Sequence, residues 1–156
     1  MNPFRGLAFA LLVLAMEGGE PNADLVEAAK RQIGVTLHYD GAYRKLAFPG
    51  GDVPMDRGVC SDVLIRAYRA LGIDLQVLVH RDMTRHWSAY PNPWRAAGPD
   101  PNIDHRRVLN LAVFFSRFGE TFAEGPFLPG DIVTWRLPSG LPHIGLVGDR
   151  KGPSGA

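Results

Sequence analysis

Two residue types in this chain have the chemistry of a nucleophile and its base. Cys60 is the one cysteine among 156 residues, and His143 is one of five histidines. Cys60 opens a segment in which Cys60, Val63, Leu64, Ala67, Tyr68 and Leu71 recur at helical spacing, which predicts an amphipathic helix over 60–71 with the sulfur in its first turn. Unpaired N–H groups and the positive end of the helix dipole favour a thiolate there, and the Cys60 N–H becomes an oxyanion donor. His143 follows Leu141-Pro142 at the start of a strand, where an imidazole can reach a neighbouring helix tip. Together they have the makings of a dyad for acyl transfer, in which the thiol attacks a carbonyl and the imidazole carries the proton. The bland alternative for Cys60 is a small buried apolar residue.

The remaining polar residues suggest less. His80, Asp82, His86, Asp104 and His105 form a second concentration of ionisable groups. They lack any standard zinc spacing, so neither a metal nor another cofactor is expected, and a structural network is the leading reading. Asp104 is expected to cap a helix at His105, and Arg106 or Arg107 to pair with Asp62 or Asp82. Asp62, His105, Arg106 and Trp87 are the candidate substrate-binding residues. Trp87, Tyr90 and Trp94, spaced by Pro91 and Pro93, make an aromatic loop suited to stacking on sugar rings or to covering the core. Trp135 reads as core, and Asp131 as a turn residue.

The elements that must position these groups read as follows. A helix over 23–33 presents Leu25, Val26, Ala29 and Ile33. Residues 35–59, rich in Gly and Pro, form a loop leading to Cys60. A helix over 74–83 turns Leu75, Leu78, Val79 and Met83 inward, and one over 105–118 does so with Val108, Leu111, Phe115 and Phe118. Ser61, Asp62, Arg66 and Arg69 fall on the outer face of the Cys60 helix. Strands over 131–137 and 143–149, joined through Ser139-Gly140, make a hairpin. Helices followed by antiparallel strands define an α+β fold. Two strands are marginal alone, so further strands or a chain cut short at its C-terminus are expected.

The wording of these segments carries a resemblance. Gly58-Val59-Cys60-Ser61-Asp62, Pro129-Gly130-Asp131-Ile132-Val133-Thr134-Trp135 and His143-Ile144-Gly145-Leu146-Val147 resemble the NlpC-type peptidoglycan peptidases. A closer likeness is to an uncharacterised bacterial family, domain of unknown function 1287. It is carried by Gly58–Arg69, by Asp74–Met83, by Pro99–Val108 and by Asn110-Leu111. The resemblance covers roughly residues 24–150 and implies a papain-like cysteine hydrolase with helices on a small antiparallel sheet. Related enzymes orient the imidazole with a third polar residue on the next strand. Past Asp149 this sequence offers only the turn-like 151–156, so the expectation is that the orienter is missing, comes from elsewhere, or is lost with a truncated C-terminus.

Composition bounds the rest. Seventeen basic residues nearly balance sixteen acidic ones, which gives no footprint for nucleic acid. Leu7–Ala15 is an apolar run of signal-peptide length, too short to span a bilayer. The expectation is therefore a signal peptide over 1–16, a lead-in over 17–23, a hydrolase domain over 24–150 and a tail over 151–156. The protein is expected to be exported, periplasmic or secreted, without a stable membrane span, and monomeric. The resemblance implies a cell-wall peptide or glycan as the target and cleavage of amide bonds in peptidoglycan stem peptides as the reaction. The competing expectation is a non-catalytic cell-wall binding protein on a degenerate hydrolase scaffold, and a weaker one is a metal-dependent enzyme.

Overall fold

The computed structural model describes residues 7–11 and 21–152. Four α-helices, α1 (Pro21–Lys30), α2 (Cys60–Ala70), α3 (Leu75–Arg85) and α4 (Val108–Phe118), pack against a four-stranded sheet. The sheet is formed by β1 (Leu7–Leu11), β4 (Gly119–Phe122), β5 (Ile132–Arg136) and β6 (Pro142–Leu146) in the order β4-β1-β5-β6, with antiparallel neighbours. β2 (His38–Tyr39) and β3 (Arg57–Gly58) pair separately and in parallel. The architecture is α+β, as expected. The two additional strands of the main sheet are β1 and β4. β1 falls on the apolar run expected to be the core of an export signal. The rest of that segment, with 17–20 and 153–156, lies outside the described residues.

One core joins the layers. Leu64, Ile65, Ala67 and Tyr68 of α2 are buried with Leu75, Val79 and Met83 of α3, Leu111, Phe114 and Phe115 of α4, Leu25 and Ala28 of α1, and Ile132 and Ile144 of the sheet. Tyr68 and Phe115 stack with ring centroids 6.0 Å apart. Burial of these side chains supplies the driving force that holds α2 against β6, on the order of 2 kcal/mol per large apolar residue.

Several boundaries differ from the sequence expectation, each for a physical reason. The helix read over 105–118 is interrupted: residues 104–106 form one 3-10 turn, and Arg107, at φ −86° and ψ 118°, is extended before α4 begins at Val108. Asp104 therefore does not cap α4. Its carboxylate instead accepts the Asp100 N–H at 2.6 Å and an Arg107 N–H at 2.8 Å. Asp74 does cap α3, accepting the Gln76 N–H at 3.0 Å. Ile33, Leu78 and Phe118, expected inward, are exposed, because they lie at or beyond helix ends or on the rim of the apolar stripe.

The largest correction concerns α2. Ser61, Asp62 and Arg66, expected on its outer face, are buried. The loop over 35–59 folds back across that face and ties itself down through Arg66. The guanidinium donates to Asp52 at 2.9 and 3.2 Å, to Thr36 Oγ1 at 2.9 Å, and to the carbonyls of Val53, Pro54 and Arg57. A planar five-donor group suits this role, since one side chain satisfies many loop acceptors at once.

Candidate functional site

The loop just described delivers the chain to Cys60. β3 ends at Gly58 and Val59 is the N-cap of α2. The cap is made from the inside of the protein: Asp62, in the first turn, accepts the Val59 N–H at 2.6 Å. A side chain at position 58 would crowd this contact, since an added Cβ would stand 2.9 Å from Asp62 Oδ2. Asp62 is in turn held by Arg106, whose Nε and Nη2 each donate to it at 2.9 Å. Arg106 also donates to the carbonyls of Asp40 and Ala42, and Ser61 Oγ donates to the Arg106 carbonyl at 2.6 Å. The helix tip, the 3-10 turn and the loop after β2 are thereby fastened to one another.

Cys60 is half-buried at this tip. The N–H groups of Ile144, Ser61 and Cys60 itself are directed at the sulfur and favour its ionised form, but burial, with Asp62 nearby, outweighs them and pushes the thiol above its ordinary value. The expectation of a thiolate favoured by helix position alone is thus reversed in sign. The Ile144 donor locates β6 beside the tip of α2. His143, the preceding residue, is half-buried, and its ring meets that of Trp135 across the β5–β6 ladder with centroids 4.7 Å apart. Among the described residues no hydrogen bond joins the Cys60 thiol to the His143 imidazole. Trp135, expected in the core, is partly exposed and covers Gly145, where an added Cβ would stand 3.1 Å from the indole. The Trp135 indole contacts the imidazole here, tilted 57° to it.

A cleft of about 540 Å³ opens over the helix tip. Cys60, Val59 and Arg106 line it together with Tyr39, Tyr43, Trp94, Arg107, Val108, Leu141 and Pro142. Tyr39, Tyr43, Trp94 and Leu141 are exposed, so the mouth is aromatic and open. Arg107 lies over the Trp94 ring, its guanidinium carbon 3.9 Å from the ring centroid.

The structure sorts the expected substrate-binding residues. Arg106 reaches the cleft wall, while Asp62 lies behind it as the partner of Arg106. His105 is 2% exposed, with Nδ1 unpartnered, and burial lowers its pKa from the ordinary 6.5 to about 4. Trp87 packs against the core and does not line the cleft. Of the aromatic loop, only Trp94 does so. Tyr90 is buried, and its hydroxyl donates to Asp82 at 2.6 Å. Asp82 also receives Arg117 at 2.6 and 3.1 Å and contacts His86 Nδ1 at 2.9 Å, so of the expected pairings Arg106 takes Asp62, and Asp82 pairs with Arg117 instead. Asp131 accepts the Leu128 N–H at 2.7 Å, in keeping with a turn. Among the described residues no group of three or more His, Cys, Asp or Glu is placed to hold a metal ion. No helix among them is long and apolar enough to cross a membrane.

Tyr39 and Tyr43 escaped the sequence reading. Their signal was slight: two tyrosines flanking Asp40-Gly41-Ala42 in a loop already expected to approach Cys60.

A lone thiol at a helix tip, a histidine on the adjoining strand and an aromatic cleft above them define the site of an α+β protein. The chain belongs to the DUF1287 family, whose model, described as "Domain of unknown function (DUF1287)", matches residues 26–156. It is similar to the uncharacterized protein YijF of Escherichia coli (strain K12), with 53% identity over 132 residues, covering 82% of this chain and 64% of that protein. The chain thus spans less than two thirds of the length of that curated relative. No solved structure matches it.

Proposed function

We propose that this protein is an exported, papain-like cysteine hydrolase, of the NlpC kind, that cleaves amide bonds in peptidoglycan stem peptides. The observation that carries the reading is Cys60: a thiol on the first turn of α2, open to a cleft, with the N–H of the residue after His143 directed at its sulfur. A buried structural cysteine needs neither the cleft nor the helix tip.

In the proposed reaction the raised thiol is neutral at rest. His143 accepts the thiol proton as Cys60 Sγ attacks the substrate carbonyl, and the Cys60 N–H donates to the oxyanion. The C–N bond then breaks, the amine leaves with the proton from His143, and a thioester remains on Cys60. Water, deprotonated by His143, attacks the thioester, releasing the acid and restoring the thiol. A rotation of the His143 ring that keeps its contact with Trp135 and turns a ring nitrogen toward the sulfur is the step that completes the dyad.

The test is digestion of purified wall material by the wild type and by Cys60→Ala, with mass spectrometry of the released fragments. Peptides freed by the wild type alone support the reading, and identical profiles sink it. A second reading, a wall-binding protein on a degenerate scaffold, is favoured by the missing Cys60–His143 hydrogen bond and the exposed aromatic mouth. It predicts equal wall retention by the wild type and Cys60→Ser, with no peptide release by either.

A further inference from the structure

The cleft carries a charge pattern that its suggested reaction does not use. Among the residues lining it, Arg106 and Arg107 bear formal charge, and no carboxylate does. Arg106 is committed: two of its donors hold Asp62 and the others reach the carbonyls of Asp40 and Ala42. Arg107 is not. Its Nη1 donates to Asp104 Oδ1 at 2.8 Å, and the guanidinium makes no other hydrogen bond among the described residues. Its side chain is 19% exposed and lies over the Trp94 indole, the guanidinium carbon 3.9 Å from the ring centroid.

Two carboxylates stand near Arg107, and both are occupied on the protein side. Asp104 is 1% exposed and also takes the Asp100 N–H at 2.6 Å. Asp100 takes the Asn102 N–H and Nδ2 at 2.8 and 2.7 Å and the Tyr43 hydroxyl at 3.0 Å. Neither lines the cleft. A guanidinium stacked on a ring and pinned at one nitrogen keeps a fixed fork of donors, which matches the two oxygens of a carboxylate.

We propose that Arg107, stacked on Trp94, is the carboxylate anchor of the cleft, so that the ligand taken there is an acyl compound bearing a free carboxylate beside the carbonyl presented to Cys60. The inference rests on the hydrolase reading for the role of Cys60, and adds the substrate class.

Alkylation of Cys60 tests it without needing turnover. Iodoacetate and iodoacetamide attack the same thiolate and differ in one carboxylate. Second-order labelling rates at about pH 9, read by intact mass, give a ratio in which any change of thiolate fraction cancels. The acetate-to-acetamide ratio is expected to fall about tenfold in Arg107→Met, the loss of one charge-assisted contact, and to fall less far in Arg107→Lys, which keeps the charge but not the fork. A ratio unmoved by Arg107→Met overturns the inference and leaves the hydrolase reading intact. Labelling of Cys60 by iodoacetamide but not by iodoacetate overturns the anchor alone, and failure of both reagents overturns both readings. A wild-type measurement covers the case of a variant that does not fold: N-acetyl-D-alanine should slow iodoacetamide labelling severalfold while its amide does not, and equal effects overturn the anchor.

Discussion

Asp62 and Arg106 face each other at 2.9 Å through two parallel hydrogen bonds, with both side chains 2% exposed. The pair is a clamp: Asp62 also caps the tip of α2, and Arg106 also grips the loop after β2. Removing one partner leaves the other buried and uncompensated. Asp62→Asn and Arg106→Met are each expected to cost about 3–5 kcal/mol. The double variant should lose less than the sum of the singles. Urea denaturation of the three variants checks this, and additive losses would count against the clamp.

The clamp makes Gly58 intolerant of a side chain. An alanine Cβ would meet Asp62 Oδ2 at 2.9 Å and its Cβ at 3.1 Å, and Asp62 cannot yield while Arg106 holds it. Gly58→Ala is therefore expected to destabilise by about 1–3 kcal/mol, the usual range for overpacking, whereas Gly98→Ala, whose added methyl meets nothing within 4 Å, should be near neutral. Paired melting curves of the two variants decide, and equal shifts would argue against a fixed Asp62.

Stability should depend on pH through His105. Burial holds its folded-state pKa at about 4 against the ordinary 6.5. The unfolded chain therefore binds the extra proton between these values. The contribution is fully present above pH 6.5 and is lost as pH falls through 4, on the order of 3 kcal/mol in all. The slope should vanish in His105→Gln. Asp104, whose carboxyl burial raises, works in the opposite direction at the acid end, so the difference between wild type and variant is the quantity to measure by denaturation across pH 4–7. A variant with the same slope as wild type would assign the effect elsewhere.

Burial around Cys60 gives a prediction opposite to that of helix position alone. Because desolvation outweighs the N–H groups at the sulfur, the rate of iodoacetamide labelling in the free protein should rise with a midpoint above an ordinary thiol's. The helix tip on its own would have placed it below. A rate–pH profile read by mass spectrometry separates the two, and a midpoint near neutrality would show a preformed ion pair instead.

The contrast between these residues shows what the sequence made legible. The start of α2 at Cys60, the existence of α3 and the β5–β6 hairpin rest on local signals: apolar period, and Ser139-Gly140 at the turn. Those are short-range and survive folding unchanged. The burial of Ser61, Asp62 and Arg66 was hidden because a polar loop covers a polar helix face, and only long-range hydrogen bonds through Arg66 and Arg106 reveal it. The break at Arg107 was hidden because Val108, Leu111 and Phe115 keep their spacing whether or not residues 104–106 are α-helical. The cleft was half legible. Cys60 was singled out from its type and position, while Tyr39, Tyr43 and the placing of Arg107 over Trp94 depend on where three loops meet.

Trp135 offers the closing test of the proposed dyad. Its ring is tilted against that of His143 at 4.7 Å and rests on Gly145, so it limits the orientations of the imidazole. If His143 serves Cys60, Trp135→Ala should lower wall-peptide release about tenfold or more, as expected when an oriented base is set loose. The variant's Tm should fall little, because Trp135 is 40% exposed. Trp135→Phe, which keeps an aromatic face, should recover most of the rate. Loss of rate that tracks loss of stability across both variants would reduce Trp135 to a packing residue. No loss in either would mean that His143 is held by something other than this ring, or takes no part.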